Sequence, residues 1–208
     1  MKRLLILGAG TAGTMAANKL SSRLPADEWQ VTVVEPSQTH NYQPGYLFIP
    51  FGTYKPSQVV KKTKRLLDKR VEWIVGEVDK VEGDDNKVVL VDGTELTYDQ
   101  LIIATGTHPR RDQTDGFESD EYGKTIHDFY SLEGATQLHE VLSRWEGGRL
   151  VMNVVEMPIK CPVAPLEFLF LADAYFTEKG MRDKVALTYS TPPDAAFTTP
   201  AAARHPGP

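Results

Sequence analysis

Three glycines, one acid and one thiol are the residues in this sequence whose types and spacing could do chemistry. Gly8-x-Gly10-x-x-Gly13 follows a short apolar run, and Glu35 lies 22 residues after Gly13. A strand, such a glycine turn, a helix and then an acid closing the next strand form a dinucleotide cradle. Gly8 allows the tight turn. Gly10 lets the backbone approach a pyrophosphate, and Gly13 lets the helix pack close to the strand. The helix start offers free N–H groups and the positive end of its dipole. Glu35 can accept hydrogen bonds from a ribose 2′-hydroxyl, and its charge disfavours a 2′-phosphate, so NADP is not expected. The pattern does not separate FAD from NAD.

The thiol is Cys161, the only cysteine in 208 residues. A lone cysteine is usually a small core hydrophobe, but the position of this one points elsewhere. It stands in a loop from Pro158 to Pro165, between a strand and a helix. A Rossmann unit would carry a second glycine cradle there. Pro158, Pro162 and Pro165 stand in its place, and proline has no N–H to give a phosphate. NAD(P)H binding in the usual way is therefore not expected at this loop. A thiol near a helix start and beside Lys160 is expected to favour its thiolate. His40, His108, His127, His139 and His205 show no metal-ligand spacing, with one another or with Cys161, so no metal is expected. His127 reads as a surface histidine or a proton carrier. No Cys-x-x-Cys-His haem motif is present.

These residues need elements to position them. Leu4–Leu7 reads as a strand buried on both faces, about Ala12–Leu24 as a helix, and Val31–Glu35 as the next strand. His40–Lys55 reads as an ordered loop, and Leu66 and Leu67 as part of a short basic helix. Val71–Val81, Lys87–Val91 and Glu95–Tyr98, with a turn at Asp92-Gly93, read as an antiparallel meander. Gln100–Ala104 is a further buried strand, and His108–Tyr122 a polar linker. Leu132, Ala135, Leu138, Leu142 and Trp145 recur at helical spacing. From Arg149 a second unit opens: strand Arg149–Val155, loop Pro158–Pro165, apolar helix Leu166–Thr177, strand Val185–Ser190. Phe168, Phe170, Tyr175 and Phe176 on that helix read as buried, with quinone or lipid contact as the other reading. The fold class expected is thus α/β.

Apolar residues are 41% of the chain, charged residues 25%, and the net charge is −5. Nucleic acid is not an expected partner, because phosphate neutralisation needs a basic face. Lys61, Lys62, Lys64, Arg65, Lys69 and Arg70 cluster, and read as a solvated helix face. One cysteine suits a reducing compartment. The first apolar run is too short for a signal peptide, and no stretch reaches the roughly 20 apolar residues of a spanning helix. Thr191–Pro208 carries five prolines and five alanines. A doubly wound unit needs further strands to cover its sheet, so the chain is expected to be truncated or out of register at its end.

Gly8-Ala9-Gly10-Thr11-Ala12-Gly13 with Glu35 resembles the start of the two-dinucleotide-domain flavoproteins. Tyr98-Asp99-Gln100-Leu101-Ile102-Ile103-Ala104-Thr105-Gly106 resembles the Ala-Thr-Gly segment of that superfamily. Met157-Pro158-Ile159-Lys160-Cys161-Pro162-Val163-Ala164-Pro165-Leu166-Glu167 is similar to the redox-cysteine segment of sulfide:quinone oxidoreductases and the related flavocytochrome c sulfide dehydrogenases. Thr125–Ser131 and Ala174–Phe176 look similar too, and the resemblance runs from Met1 to about Pro200.

That resemblance implies an FAD-binding Rossmann-like domain with a meander over 1–112, a linker and helix over 113–146, and a truncated second Rossmann-like unit over 147–208. It implies FAD held by Gly8, Gly10, Thr11, Ala12, Gly13, Glu35, Val78, Ala104, Thr105 and Gly106. The His40–Pro44 loop would lie over the flavin, with Pro44 near the ring. It implies that Cys161 is the flavin-facing nucleophile, that sulfide attacks sulfur held on it, and that two electrons pass by way of the flavin to quinone while polysulfide grows. The family's partner cysteine has no counterpart here. No N-terminal cysteine offers a covalent FAD link, which favours the quinone-linked branch. The single cysteine and the absence of a signal-peptide pattern suit a cytoplasmic protein, with peripheral attachment at the cytoplasmic membrane and a homo-oligomer left open. Two other readings stand beside it: a type-II NADH:quinone dehydrogenase, which would need a glycine cradle near residues 156–162, and a non-catalytic FAD-binding fragment.

Overall fold

The computed structural model describes residues 1–192, and the tail read as the end of a truncated unit lies almost wholly outside them, as does His205. The chain divides into two compact units, Met1–Gln43 with Ser57–His108, and Pro44–Pro56 with Pro109 onward.

The first unit is built on a parallel sheet. Strand β1 (Lys2–Leu7) runs into helix α1 (Thr11–Arg23), which returns the chain to β2 (Trp29–Val34). Short strands β3 (Thr39–Asn41) and β4 (Val60–Lys62) pair antiparallel, with helix α2 (Pro56–Val59) just before β4. Strands β5 (Val71–Ile74) and β9 (Gln100–Ile103) complete the sheet in the order β5-β2-β1-β9. Strands β6 (Val78–Glu82), β7 (Lys87–Leu90) and β8 (Glu95–Thr97) form the expected meander.

The continuous apolar run of β1 follows from what covers it. Successive side chains of a strand point to opposite faces. Leu4 and Ile6 join Ala9, Ala17, Val31 and Val33 in a core with partly buried Ala16, Leu20 and Leu24 of the helix side. Leu5 and Leu7 join Val34, Val88, Leu90 and Tyr98, a core shared with the meander. One face of the strand packs on α1 and the other on the meander, so neither can be polar.

Two expectations are corrected. Val71–Val81 is not one meander strand. Val71–Ile74 pairs in parallel with β2, Val31 opposite Val71 and Val34 opposite Ile74, and only Val78–Glu82 enters the meander. Alternating apolar residues fit an edge strand of either kind, so spacing alone could not divide them. The basic segment around Leu66 is not a helix. It continues β4 through a 3-10 turn, Thr63–Arg65, into an irregular stretch. Thr63, 1% exposed, donates its amide to the Gln38 carbonyl at 2.9 Å and its hydroxyl to the Ser37 carbonyl at 3.2 Å. Asn18 of α1 grips the Leu66 carbonyl at 2.7 Å and the Asp68 amide at 2.8 Å. These side-chain bonds replace the helical ladder.

The second unit holds helix α3 (Leu132–Arg144), strand β10 (Gly148–Asn153), helix α4 (Ala164–Glu178) and strand β11 (Val185–Ser190). Strands β10 and β11 pair in parallel, Gly148 opposite Val185. Ser131 caps α3, accepting from the Gly134 amide at 3.0 Å, and Asp128 in turn holds the Tyr130 and Ser131 amides. On α4, Phe168 and Phe176 are buried, with Phe51 and Phe129 against Phe168 and Trp145 against Phe176. Phe170 is the exception to the buried reading of this helix, at 67% exposed. The α/β class and the β-loop-α-β order of the second unit are as expected. Among the described residues no helix is long and apolar enough to cross a membrane.

Candidate functional site

The glycine turn is shaped by contacts that only hydrogen can satisfy. Gly8 has φ +95°, a conformation open to glycine at little cost, and a Cβ there would lie 2.4 Å from the Ala104 carbonyl oxygen. A Cβ on Gly13 would lie 1.9 Å from the Gly8 carbonyl oxygen. The end of β1, the start of α1 and the end of β9 therefore meet at backbone-to-backbone distance. Gly10 differs from both. No atom lies within 4 Å of where its Cβ would stand, and its backbone is extended at φ −67° and ψ −166°. That space, beside a helix start with no side-chain cap and no acid in its first turn, suits a pyrophosphate. Gly10, Thr11 and Ala12 are exposed around it.

Glu35 closes the cradle from the end of β2. One carboxylate oxygen accepts the Ala9 amide at 2.8 Å and the other the Ser37 amide at 2.8 Å. Each oxygen keeps a lone pair for a ribose hydroxyl. The acid thus staples the glycine loop as well as facing the ligand, a role its spacing alone did not reveal. The Ala9 carbonyl is held from both sides, by the Thr14 hydroxyl at 2.8 Å and by His40 Nδ1 at 2.9 Å, which must carry its proton to donate there. Trp73 of β5 donates its indole N–H to the Glu35 carbonyl at 3.1 Å. Replacing Glu35 with alanine is expected to weaken FAD binding by at least about tenfold and to lower the stability of the ligand-free chain by about 1–2 kcal/mol. FAD titration and urea melts measure the two effects separately. An unchanged affinity would remove the ribose role, and an unchanged midpoint the staple.

Of the other expected cofactor residues, Ala104 and Thr105 lie against Gly8, and the Ala104 amide donates to the Leu7 carbonyl at 2.8 Å. Gly106 follows at φ +70° with open space at its Cβ position. Val78 opens β6, and its side chain packs on the core of Leu5 and Leu7. Pro44 lies in a 3-10 turn, Gln43–Phe48, and falls in the second unit. The structure thus brings Gly8, Gly10, Thr11, Ala12, Gly13, Glu35, Ala104 and Thr105 to one turn, while the Val78 side chain packs on the core beneath the meander.

Cys161 is exposed in the loop between β10 and α4, three residues before the first helical residue, Ala164. Its φ is +56°, one of two positive values among the non-glycine residues described. Its carbonyl accepts two bonds, from the Ala164 amide at 3.0 Å and the Tyr130 hydroxyl at 3.2 Å. Tyr130 is half-buried, and burial first, then the neighbouring acids Cys161, Tyr189 and Glu167, raises its phenol pKa, so it stays a protonated donor. Partial desolvation of the ammonium lowers the pKa of Lys160. Nothing in the spacing of the sequence announced Tyr130. His127 binds the Lys124 carbonyl through Nε2 at 3.0 Å, while its Nδ1 is buried without a partner. Among the described residues no group of histidines, cysteines and acids could hold a metal.

A glycine-turned β-α-β unit on a parallel sheet, backed by a meander and followed by a second β-α-β, is the architecture of a dinucleotide-binding oxidoreductase. The sequence model of the pyridine nucleotide-disulphide oxidoreductases matches residues 2–143, and the chain belongs to that family of FAD-dependent flavoproteins. The mitochondrial sulfide:quinone oxidoreductase of Mus musculus is 29% identical over 188 residues, 90% of this chain and 41% of the relative. A type II NADH:quinone oxidoreductase of Staphylococcus haemolyticus is 30% identical over 124 residues, 59% of this chain and 28% of its own. The crystal structure of the sulfide:quinone oxidoreductase from Aquifex aeolicus superposes with a TM-score of 0.76 at 20% identity, covering 98% of this chain and 47% of that one. The resemblance read from the sequence is borne out, and the chain spans less than half the length of the relatives it matches.

Proposed function

We propose that this chain is the FAD-binding and sulfide-reactive part of a sulfide:quinone oxidoreductase. The observation that carries the reading is the loop between β10 and α4. It offers an exposed thiol and three prolines where an NADH-binding unit would offer glycines. The extent of similarity supports it. The sulfide:quinone relatives match 90–91% of the chain, a span that takes in position 161, whereas the type II NADH:quinone relatives match 50–68%.

In this reading Gly10 and the first turn of α1 hold the pyrophosphate, and Glu35 orients the adenosine ribose. Ala104 and Thr105 hold the turn from behind. Cys161 is the nucleophile. Joining hydrosulfide to its thiolate as a persulfide forms one S–S bond and releases one proton and two electrons. FAD, when bound, supplies a two-electron acceptor, and the same family reading makes quinone the final one. Tyr130 and the Ala164 amide fix the Cys161 carbonyl, which leaves the side chain facing solvent at the loop surface.

The test is the visible spectrum of the FAD-loaded full chain under anaerobic conditions. Sulfide is expected to bleach the flavin band, and NADH is not. Rapid bleaching by NADH would replace this reading with the NADH:quinone one. Indifference to both would leave a protein that binds FAD without the chemistry.

A further inference from the structure

We infer that His40 is a positioning residue for the dinucleotide, fixing the Ala9-Gly10 peptide so that the Gly10 N–H is left for the pyrophosphate. The inference rests on FAD lying at the glycine turn, and on nothing in the second unit. His40 Nδ1 donates to the Ala9 carbonyl at 2.9 Å, and the Thr14 hydroxyl donates to the same oxygen at 2.8 Å. A carbonyl oxygen has two lone pairs, so both are taken. One bond would leave the peptide free to pivot about it. Two donors from different elements, Thr14 on α1 and His40 on β3, fix its plane. This peptide is trans, so the Gly10 N–H points opposite to the Ala9 carbonyl, away from both donors.

The Gly10 N–H is the first in the turn that the protein does not use. The Gly8 amide is spent on the Val34 carbonyl at 2.8 Å and the Ala9 amide on Glu35 at 2.8 Å. Ala9 itself is 2% exposed, with both of its backbone polar groups taken by the protein. Among the described residues the Gly10 amide donates to no acceptor, although the Gly10 carbonyl accepts the Thr14 amide at 2.9 Å. No atom lies within 4 Å of its Cβ position. A donor on the Ala9 oxygen also polarises the peptide and strengthens the N–H at its other end.

His40 is placed by bonds that do not depend on the turn. It is the middle residue of β3, in register opposite Lys61 of β4, and the Tyr42 amide beyond it binds the Val59 carbonyl at 2.8 Å. Before it, Ser37 turns the chain, its amide on Glu35 and its hydroxyl on the Thr39 carbonyl at 2.9 Å. The stretch from Glu35 to His40 therefore grips both polar groups of Ala9, the acid on its N–H and the imidazole on its C=O. The rival is a staple that serves the fold alone. A staple would lower stability and leave FAD affinity as it was, because Thr14 and Glu35 still hold the turn.

The experiment is FAD titration of the full chain carrying His40→Leu or His40→Asn, with Gly10→Ala as the control for the site. Leucine has no donor, whereas the asparagine amide nitrogen stands where Nδ1 does along the side chain. His40→Leu is expected to lose about three- to tenfold in FAD affinity, the range of one net hydrogen bond, and His40→Asn to stay within about twofold of the natural chain. The resonance of the Ala9 carbonyl carbon follows hydrogen bonding to its oxygen. It is expected to shift in ligand-free His40→Leu and to return in His40→Asn. Urea melts check that the variants fold. Thr14→Val removes the other donor from the same oxygen and is expected to behave as His40→Leu does, so the inference is tested even if His40→Leu does not fold. Unchanged FAD affinity in His40→Leu or Thr14→Val, where Gly10→Ala weakens binding, would overturn the inference and leave the pyrophosphate at the turn. Unchanged affinity in all three would remove the pyrophosphate from the turn and the inference with it. A loss in His40→Leu that His40→Asn does not recover would assign the effect to the bulk of the imidazole and overturn the role of its bond.

Discussion

Replacing Gly13 with alanine is expected to cost the ligand-free chain about 3 kcal/mol of stability or more, whereas the same change at Gly10 is expected to cost it nothing. The two glycines stand three residues apart in one turn and answer to different neighbours. A Cβ on Gly13 would enter the Gly8 carbonyl group, 1.9 Å from its oxygen and 2.9 Å from its carbon. Both are backbone atoms, so no side chain can swing away. The first turn of α1 would have to lift from the end of β1, where Gly8 is itself pinned to the Val34 carbonyl at 2.8 Å. The core of Leu4, Ile6 and Ala17 depends on that close approach. At Gly10 the added carbon meets no protein atom, and φ −67° is open to any residue. Alanine there restricts the unfolded chain by about 0.5 kcal/mol, which offsets its poorer fit at the N-cap of α1, so the ligand-free stability is expected to stay nearly unchanged. The space it fills is the one argued to receive the pyrophosphate. A clash of roughly 1–3 kcal/mol with bound FAD corresponds to about a ten- to hundredfold loss of affinity. Urea melts and FAD titrations of the two variants separate a fold-bearing glycine from a ligand-bearing one. Unchanged FAD affinity in Gly10→Ala would remove the pyrophosphate from this turn, and an unchanged melt in Gly13→Ala would contradict the packing.

What could be read from the sequence, and what could not, follows from the range of the interactions. The β1-α1-β2 unit was legible because each residue type has a local cause: an apolar run buried on both faces, glycines where backbones touch, an acid at the next strand end. Helix α3 was legible from its spacing, and β11 from its length and flanks. The division between β5 and β6 was not, because alternation reports a half-covered strand and not the identity of its neighbour. Neither was the loss of helix around Leu66, which depends on Thr63 and Asn18 reaching carbonyls and amides 26 to 50 residues away. In the site, the cradle residues were legible by type. The Ala9 amide on Glu35, the proton His40 must place on Nδ1 and the Tyr130 bond to Cys161 were not, since each joins segments that only the fold brings together. The prolines around Cys161 marked a loop without revealing that the cysteine would take a left-handed backbone.

That backbone makes a sharper test of Cys161 than loss of activity alone. A non-glycine residue at φ +56° stores about 1 kcal/mol relative to an ordinary conformation. Such strain persists where surrounding bonds determine it, and it gathers at functional positions. Here the Tyr130 hydroxyl and the Ala164 amide supply those bonds. Cys161→Gly is therefore expected to stabilise the chain, or at least to leave it no less stable, since glycine takes the left-handed conformation freely. Cys161→Ala keeps the strain and removes only the sulfur. Both variants are expected to bind FAD as the natural chain does, because the glycine turn and Glu35 belong to the other unit. Both are expected to lose sulfide-driven bleaching of the flavin by at least about a thousandfold, the scale on which removal of an attacking group is felt. Since the chain has no other cysteine, alkylation of the natural protein should reproduce the loss without any substitution. Bleaching at the parental rate in Cys161→Ala would place the sulfur chemistry elsewhere. A chain that is more stable as Cys161→Gly and inert toward sulfide would identify Cys161 as a residue held at a cost to the fold for its thiol.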